Sequence, residues 1–244
     1  MLKCIDVSEW NHDIDWNQVK ADGIEAAFIR CGFGQDSEGQ DDKYFIINME
    51  SAIAAGLKVG VYFYSYATNY DTACSEAHHC LRLIEPYRDD ISFPVFYDLE
   101  EDRNKPRIKD IFDGFRNTLE YYGYNVGAYT SVSWYDAYFQ PIDCDYIWLA
   151  SWGPDDGEPH EKYKPEYCDV WQYTSRGSVN GIEGTYCVDM DYIYNEDMKL
   201  LFIQPDPEPT PAPDPIEKTV NIDILVDADE SIKVNVNVHR VNKD

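Results

Sequence analysis

Hydrophobic positions follow two different periods along the first half of the chain. Short continuous apolar runs predict buried strands, and apolar residues three or four positions apart predict helices that bury one face. The predicted strands cover residues 4–8, 26–31, 58–65 and 93–99. The predicted helices cover residues 14–20, 44–55, 72–87 and 108–122. Strand and helix therefore alternate in this half.

From about residue 123 to residue 200 the chain still contains apolar runs typical of strands, but it no longer shows the spacing of apolar residues that is typical of helices. Four more strands are predicted over residues 125–131, 145–150, 168–173 and 187–193, with loops or short turns between them. Eight strands, the early ones separated by helices, predict an α/β fold: a distorted TIM-like barrel whose later helices are reduced or missing. In such barrels the chemistry gathers at the carboxyl ends of the strands.

A change of composition near residue 204 ends the barrel, which we assign to residues 1–203. Proline at every second position from 205 to 215 predicts an extended Pro-rich linker over 204–215. Residues 216–244 then alternate apolar and polar side chains on both sides of a turn, which predicts a small β-hairpin. Because an isolated hairpin is only marginally stable, we expect it to rest on the barrel, on a second copy in a homo-oligomer, or on a binding partner.

Charge and cysteine content narrow the class of protein. The 46 acidic and 20 basic residues give a formal net charge of −26, which argues against nucleic acid and anionic membrane surfaces as partners. No apolar run is long enough for a membrane span. The seven cysteines form no C-x-x-C pair and share no ligand spacing with the five histidines, so we expect reduced thiols, no metal site and no cofactor.

Two carboxylates end the fourth predicted strand. Asp98 and Glu100 point to the same side, since successive strand residues alternate between faces. Burial and mutual repulsion should raise one pKa and leave the other group ionised, as acid-assisted bond cleavage requires. Asp6 ends the first strand and Asp189 lies in the eighth, and these two strands are neighbours in a closed barrel. We therefore expect four carboxylates to converge at one rim.

Nine colinear motifs between about residues 3 and 200 make the pattern more specific. They are IDVS (5–8), IDW (14–16), FIRCGFG (28–34), AGLKVGVYFYS (55–65), PVFYDLE (94–100), GAYT (127–130), WLA (148–150), WQYT (171–174) and VDMDY (188–192). Together they resemble glycoside hydrolase family 25, the lysozymes (N-acetylmuramidases) of bacteria, fungi and phages. The linker and the hairpin lie outside this resemblance.

The resemblance implies a (β/α)5(β)3 barrel and a set of roles for the four acids. Glu100 takes the position of the general acid and Asp98 that of its partner, which would orient the 2-acetamido group of the sugar. Asp6 and Asp189 would be further acids lining the groove. The implied substrate is bacterial peptidoglycan, cut at the β-1,4 bond after N-acetylmuramic acid. Substrate-assisted retention and direct inversion both remain open.

Aromatic side chains are the expected walls of the sugar subsites. We predict Tyr62, Tyr64, Tyr129 and Trp171 as substrate-binding residues, with packing inside the barrel as the alternative for each ring. Three positions depart from the family's usual residues: Phe63 in place of His, Trp152 in place of Tyr and Asp191 in place of Asn.

Other interpretations of the same residues remain. Asp191 is a same-face alternative to Asp189, and Arg30 is expected to be structural, paired with an acid of the barrel. Four clustered acids would also suit a metal-dependent phosphodiesterase, and the fold alone would suit a non-catalytic glycan-binding barrel.

Because a strand begins directly after Met1, we expect no signal peptide and synthesis in the cytoplasm. The enzyme would then act on the wall after its release, as a phage endolysin does. A secreted enzyme is the alternative. The hairpin would then serve oligomerisation or wall targeting.

Overall fold

A closed eight-stranded barrel forms the first compact unit of the protein. In this computed structural model, residues 1–139, 142–182 and 187–198 are described, together with the backbone of 223–226 and 232–235. The barrel strands are β1 Leu2–Val7, β2 Ala26–Phe33, β3 Lys58–Tyr64, β4 Ile91–Asp98, β5 Val126–Ser131, β6 Ile147–Ala150, β7 Val170–Gly177 and β8 Val188–Ile193. The helices described are α1 Trp16–Ala21, α2 Phe45–Ala54, α3 Tyr70–Ile84, α4 Ile108–Tyr121 and α5 Val132–Tyr138. The predicted α/β barrel is confirmed.

The direction of the last strand distinguishes this barrel from a regular one. Strands β1 to β7 pair in parallel, whereas β8 runs antiparallel to both β7 and β1 and closes the sheet. The start of β8 therefore lies at the rim where the other strands end. In this register Asp189 pairs with Asp6.

Helix α5 lies where hydropathy predicted only loops or short turns. It has seven residues, and the Ser131 hydroxyl caps its first turn by accepting from the Trp134 amide. None of its residues is fully buried, so its sequence carries no stripe of apolar positions. With α5 the described elements follow the (β/α)5(β)3 order that the resemblance implied.

Apolar side chains form one layer inside the barrel wall and a second layer outside it. Side chains that point inward fill the barrel, with the Trp148 ring 4.7 Å from both the Phe28 and the Tyr129 rings. Side chains that point outward, such as Ile5 and Val61, pack against the helices. Both faces of each strand are thus buried. Because successive side chains alternate between the two faces, only every second residue of a strand points into the barrel and can reach its mouth.

Gly60 tests how closely the side chains inside the barrel are packed. A Cβ on Gly60 would lie 2.4 Å from the Phe28 ring. We expect Gly60→Ala to destabilise the protein by about 1–3 kcal/mol, because the ring has no free space to move into. Gly39→Ala is the control, since its Cβ would approach Ser37 Oγ only to 3.9 Å. Urea unfolding of both variants measures the difference, and equal stabilities would contradict the packing argument.

The second compact unit comprises residues 204–244. Within it, β9 Asp223–Val226 and β10 Ile232–Asn235 pair antiparallel, with Val226 opposite Ile232. The predicted Pro-rich linker at 204–215 lies outside the described residues and stays a prediction. Among the helices that the structure describes, none is long and apolar enough to cross a membrane.

Candidate active site

A cavity of about 370 Å³ opens at the carboxyl ends of the parallel strands, within the size range of ligand sites. Its walls combine acids, aromatic rings and a few hydrogen-bonding groups. The lining residues are Asp6, Ser8, Glu9, Trp10, Arg30, Phe33, Tyr62, Tyr64, Tyr66, Asp98, Glu100, Tyr129, Trp148, Gln172 and Asp189. The four predicted acids, Asp6, Asp98, Glu100 and Asp189, are all among them. The structure thus brings together carboxylates from three strands.

Asp98 ends β4 and is almost completely buried, with 4% of its surface exposed. Its Oδ1 atom is buried and has no hydrogen-bond partner among the described residues. Burial raises the pKa of Asp98 well above its ordinary value; the nearby charges of Glu100 and Asp6 add to this, and Arg30 opposes it. Asp98 therefore lines the cavity with a carboxyl group that has hydrogen-bonding capacity left unused.

Glu100 lies two residues beyond Asp98 and is exposed to the cavity. The surrounding protein still removes part of its hydration, and this desolvation raises the pKa of Glu100, with a further contribution from the charge of Glu101. Tyr64 opposes the rise. The Tyr64 hydroxyl itself donates to Glu101 Oε1 at 2.9 Å. Glu100 is therefore a carboxyl group that is accessible to a ligand and inclined to hold a proton.

Asp6 and Asp189 form the opposite side of the acidic cluster. Burial raises the pKa of Asp6 to about 7, although Gln172 Nε2 donates to Asp6 Oδ2 at 2.8 Å and opposes the rise. The pKa of Asp189 is also raised, by burial and then by the charges of Asp6 and Glu100. All four acids therefore have raised pKa values, which favours protonated forms that could serve in proton transfer.

The raised pKa of Asp6 gives the stability of the protein a defined pH dependence. The folded chain keeps a proton on Asp6 that the unfolded chain releases above about pH 4. The resulting stabilisation is present at low pH and is lost as the pH rises through about 7. We expect the urea midpoint to fall between about pH 5 and about pH 7.5, and to fall less in Asp6→Asn. A wild-type midpoint that rises over this interval would contradict the assignment.

Three of the four predicted aromatic residues line the cavity. Tyr62, Tyr64 and Tyr129 point inward, and the Tyr129 hydroxyl donates to Gln172 Oε1 at 3.0 Å. The prediction for Trp171 is wrong. Its ring is 1% exposed in the outer apolar layer, where Nε1 donates to the Ser151 carbonyl at 2.9 Å. Because neighbouring strand residues face opposite sides, Gln172 takes the inward position instead.

The sequence interpretation missed several cavity residues. Trp10 is 69% exposed at the rim, where an exposed ring could have signalled a ligand surface. Gln172 gives no such signal, since an amide between two aromatic residues is not distinctive in a strand. Arg30 is ion-paired as expected, but its partners lie outside the barrel strands: Asp42 is in a loop and Glu9 is in the short 3-10 turn Glu9–Asn11. Arg30 Nε lies 2.9 Å from Asp42 Oδ2, and Arg30 also lines the cavity. Within the described part of the chain, no group of His, Cys, Asp and Glu has the arrangement of a metal site.

Comparison with known proteins identifies relatives of this chain. Residues 5–182 match Glycosyl hydrolases family 25. The autolytic lysozyme of Clostridium acetobutylicum is 27% identical over 189 residues, which cover 77% of this chain and 55% of that protein. The chain therefore spans about half the length of this curated relative.

Solved structures share the fold. The catalytic domain of endolysin ply40 from bacteriophage P40 of Listeria monocytogenes has a TM-score of 0.70 and 24% identity, covering 79% of this chain and 93% of that domain. The autolysin LytC of Streptococcus pneumoniae, solved with a synthetic peptidoglycan ligand, has a TM-score of 0.61 and 27% identity, covering 78% of this chain and 46% of LytC. With the family match over residues 5–182, these findings establish that the chain belongs to glycosyl hydrolase family 25.

Proposed function

We propose that this protein is a peptidoglycan hydrolase, a muramidase that cleaves the β-1,4 bond between N-acetylmuramic acid and N-acetylglucosamine. The convergence of Asp6, Asp98, Glu100 and Asp189 in one cavity carries the proposal. Membership of the family and the similarity to lysozymes support the same substrate class. The high proportion of polar lining, with aromatic rings beside it, suits a neutral sugar ring, whose C–H faces stack on aromatic side chains.

Glu100 is the proposed general acid. Cleavage of a glycosidic bond requires a proton on the leaving oxygen and stabilisation of an oxocarbenium-like centre. Glu100 is open to the cavity and its pKa is raised, which favours the protonated form that would donate to the leaving O4 of N-acetylglucosamine. Asp6 and Asp189, when ionised, would stabilise the positive charge that develops at the anomeric carbon.

Asp98 is the proposed partner of the substrate's acetamido group. Its unpartnered Oδ1 leaves Asp98 with the capacity to accept the acetamido N–H, which would turn the acetamido oxygen toward the anomeric carbon. That oxygen attacks as the C–O bond breaks, and water then opens the cyclic intermediate with retention. In the alternative, Asp98, Asp6 or Asp189 activates water for direct inversion. Proton NMR of the first-formed product separates the two, because only a β anomer agrees with retention.

Mass spectrometry of digested peptidoglycan tests the proposed bond. We expect new reducing ends on N-acetylmuramic acid, at a rate that a metal chelator does not change. Reducing ends on N-acetylglucosamine would place the cut at the other glycosidic bond. Activity that disappears with the chelator would favour a metal-dependent phosphodiesterase, and binding without release of sugars would favour a glycan-binding barrel.

Two further proposals concern the second unit and the site of action. We propose that residues 216–244 mediate oligomerisation or wall targeting, since a two-stranded hairpin needs an apolar contact. Light scattering of the full chain against a chain ending at Gln204 tests this, and equal monomer masses would exclude oligomerisation. The similarity to a phage endolysin supports action on the bacterial wall after release from a cell, with secretion as the alternative route.

A further inference from the structure

Beneath the floor of the cavity lies a further acid, Asp191, that the mechanism above does not use. Asp191 is on β8, where it pairs with Cys4 of β1 on one side and with Gln172 of β7 on the other. Its side chain is fully buried and does not line the cavity. Asp6 lies two residues beyond Cys4 on the same face of β1, so the carboxyl groups of Asp191 and Asp6 are diagonal neighbours.

The hydrogen bonds of Asp191 are incomplete if it is a carboxylate. Trp148 Nε1 donates to Asp191 Oδ1 at 2.8 Å. Asp191 Oδ2 is buried and receives no donor from the described residues. The Asp6 carboxyl is its diagonal neighbour across the β1–β8 pair, and as a carboxylate Asp6 has no proton to donate. A proton on Asp191 Oδ2 satisfies both groups, because Asp191 then donates and Asp6 accepts.

The other partner of Asp6 has a fixed orientation. Gln172 Oε1 accepts from Trp152 Nε1 at 2.9 Å and from the Tyr129 hydroxyl at 3.0 Å. An indole N–H can only donate, so the oxygen of the Gln172 amide must face Trp152 and its nitrogen must face Asp6. Gln172 Nε2 indeed donates to Asp6 Oδ2 at 2.8 Å. Asp6 is thus held from one side by a donor that cannot turn away.

We propose that Asp191 stays protonated across the working pH range and is a positioning residue, which holds Asp6 by donating a hydrogen bond to it opposite Gln172. The groups that act on the charge of Asp191 are acids or neutral donors: Asp6, Asp189 and Trp148, with the Cys4 thiol opposite it on β1. The hydroxyl of Tyr173, in the outer layer, is also uncharged in its ordinary form. None of these is a cation that would favour ionisation. Burial accordingly raises the pKa of Asp191 well above its ordinary value.

The consequence for catalysis lies in the state of Asp6. Burial and the charge of Glu100 favour the protonated form of Asp6, whereas the hydrogen bonds from Gln172 and Asp191 favour the carboxylate. Asp191 therefore keeps Asp6 ionisable near neutral pH and fixes the orientation of its carboxyl group. This role in catalysis rests on the proposed muramidase function; the protonation state of Asp191 does not.

Two substitutions at one position test the proposal in the full-length chain. Asp191→Leu removes the donor, and we expect kcat to fall about tenfold with little change in KM, while the ionisation of Asp6 in the pH–rate profile moves to higher pH. Asp191→Asn restores both hydrogen bonds, since its oxygen accepts from Trp148 and its NH2 group donates to Asp6. We expect this variant to recover kcat to within about threefold of wild type with an unchanged profile.

Carbon-13 NMR of labelled aspartate carboxyl groups gives a readout that needs no activity. We expect one carboxyl carbon, absent from Asp191→Asn, that keeps the shift of a protonated acid between about pH 5 and about pH 8. An Asp191 signal that titrates in this interval would overturn the proposal, as would an Asp191→Asn profile displaced to lower pH by loss of a negative charge. An inactive wild-type enzyme with the non-titrating signal intact would instead refute the muramidase function alone.

Discussion

Glu100→Gln is expected to bind peptidoglycan but to lose about 10²–10⁴-fold in kcat, the usual contribution of a positioned general acid. The amide has nearly the same shape as the carboxyl group, yet it has no acidic proton for the leaving oxygen. Because Glu100 is exposed to the cavity, the substitution leaves no buried group unpaired, and stability should change little. Turbidity loss of purified cell walls gives the rate, and co-sedimentation with walls gives the binding.

Glu101→Gln is the matched control one residue further along. Glu101 accepts the Tyr64 hydroxyl at 2.9 Å, and the amide oxygen of glutamine can accept the same bond. Glu101 is not among the residues that line the cavity, so we expect kcat within about threefold of wild type. An equal loss in both variants would move the acid to Glu101. Full activity in Glu100→Gln would remove the general acid from the proposed mechanism.

The strands of the barrel were predictable because each is a short apolar run between charged or glycine-containing turns. The carboxylates were predictable for a related reason: Asp98 and Glu100 interrupt such a run at its end, where a soluble barrel has no structural need for two acids. Asp6 follows the same logic on β1. A polar residue that ends a buried strand is a signal that the amino-acid sequence retains without knowledge of tertiary contacts.

The failure at Trp171 has a physical cause. A barrel strand is buried on both faces, so apolar side chains do not reveal which face points inward. The run from Trp171 to Tyr173 places an aromatic residue on each side of Gln172, and both rings belong to the outer layer. Only the register of β7 against β6 and β8 determines that Gln172 faces the cavity. That register is a property of the closed sheet.

The antiparallel direction of β8 could not be predicted from the amino-acid sequence either. Nothing in the period of the hydrophobic residues distinguishes a parallel from an antiparallel closing strand. The contact of Asp191 with Asp6 depends on this closure, since β8 meets β1 only after the whole barrel has formed. Long-range pairing therefore determined those parts of the site that local patterns could not predict.

Asp98→Asn is expected to lower kcat by about 10²–10³-fold, the loss typical of removing one preorganised electrostatic contact to the reacting group. Asparagine can still accept a hydrogen bond through its oxygen, but it cannot take up the carboxylate form that would orient and polarise the acetamido N–H. Asp102→Asn is the control, because Asp102 is an exposed acid whose partner is Lys105. We expect that variant to keep wild-type kcat within about twofold, since surface ion pairs contribute little.

A substrate in which the acetamido group is replaced by a hydroxyl shows whether Asp98 acts through that group. In the substrate-assisted route the wild-type enzyme should cleave this analogue very slowly, and Asp98→Asn should add little further loss, because the interaction has already been removed. The two changes are then strongly non-additive in a double-mutant cycle. Direct inversion predicts the opposite: Asp98 would activate water regardless of the acetamido group, and the two losses would multiply. The cycle therefore assigns Asp98 to the substrate or to water without relying on the anomeric outcome.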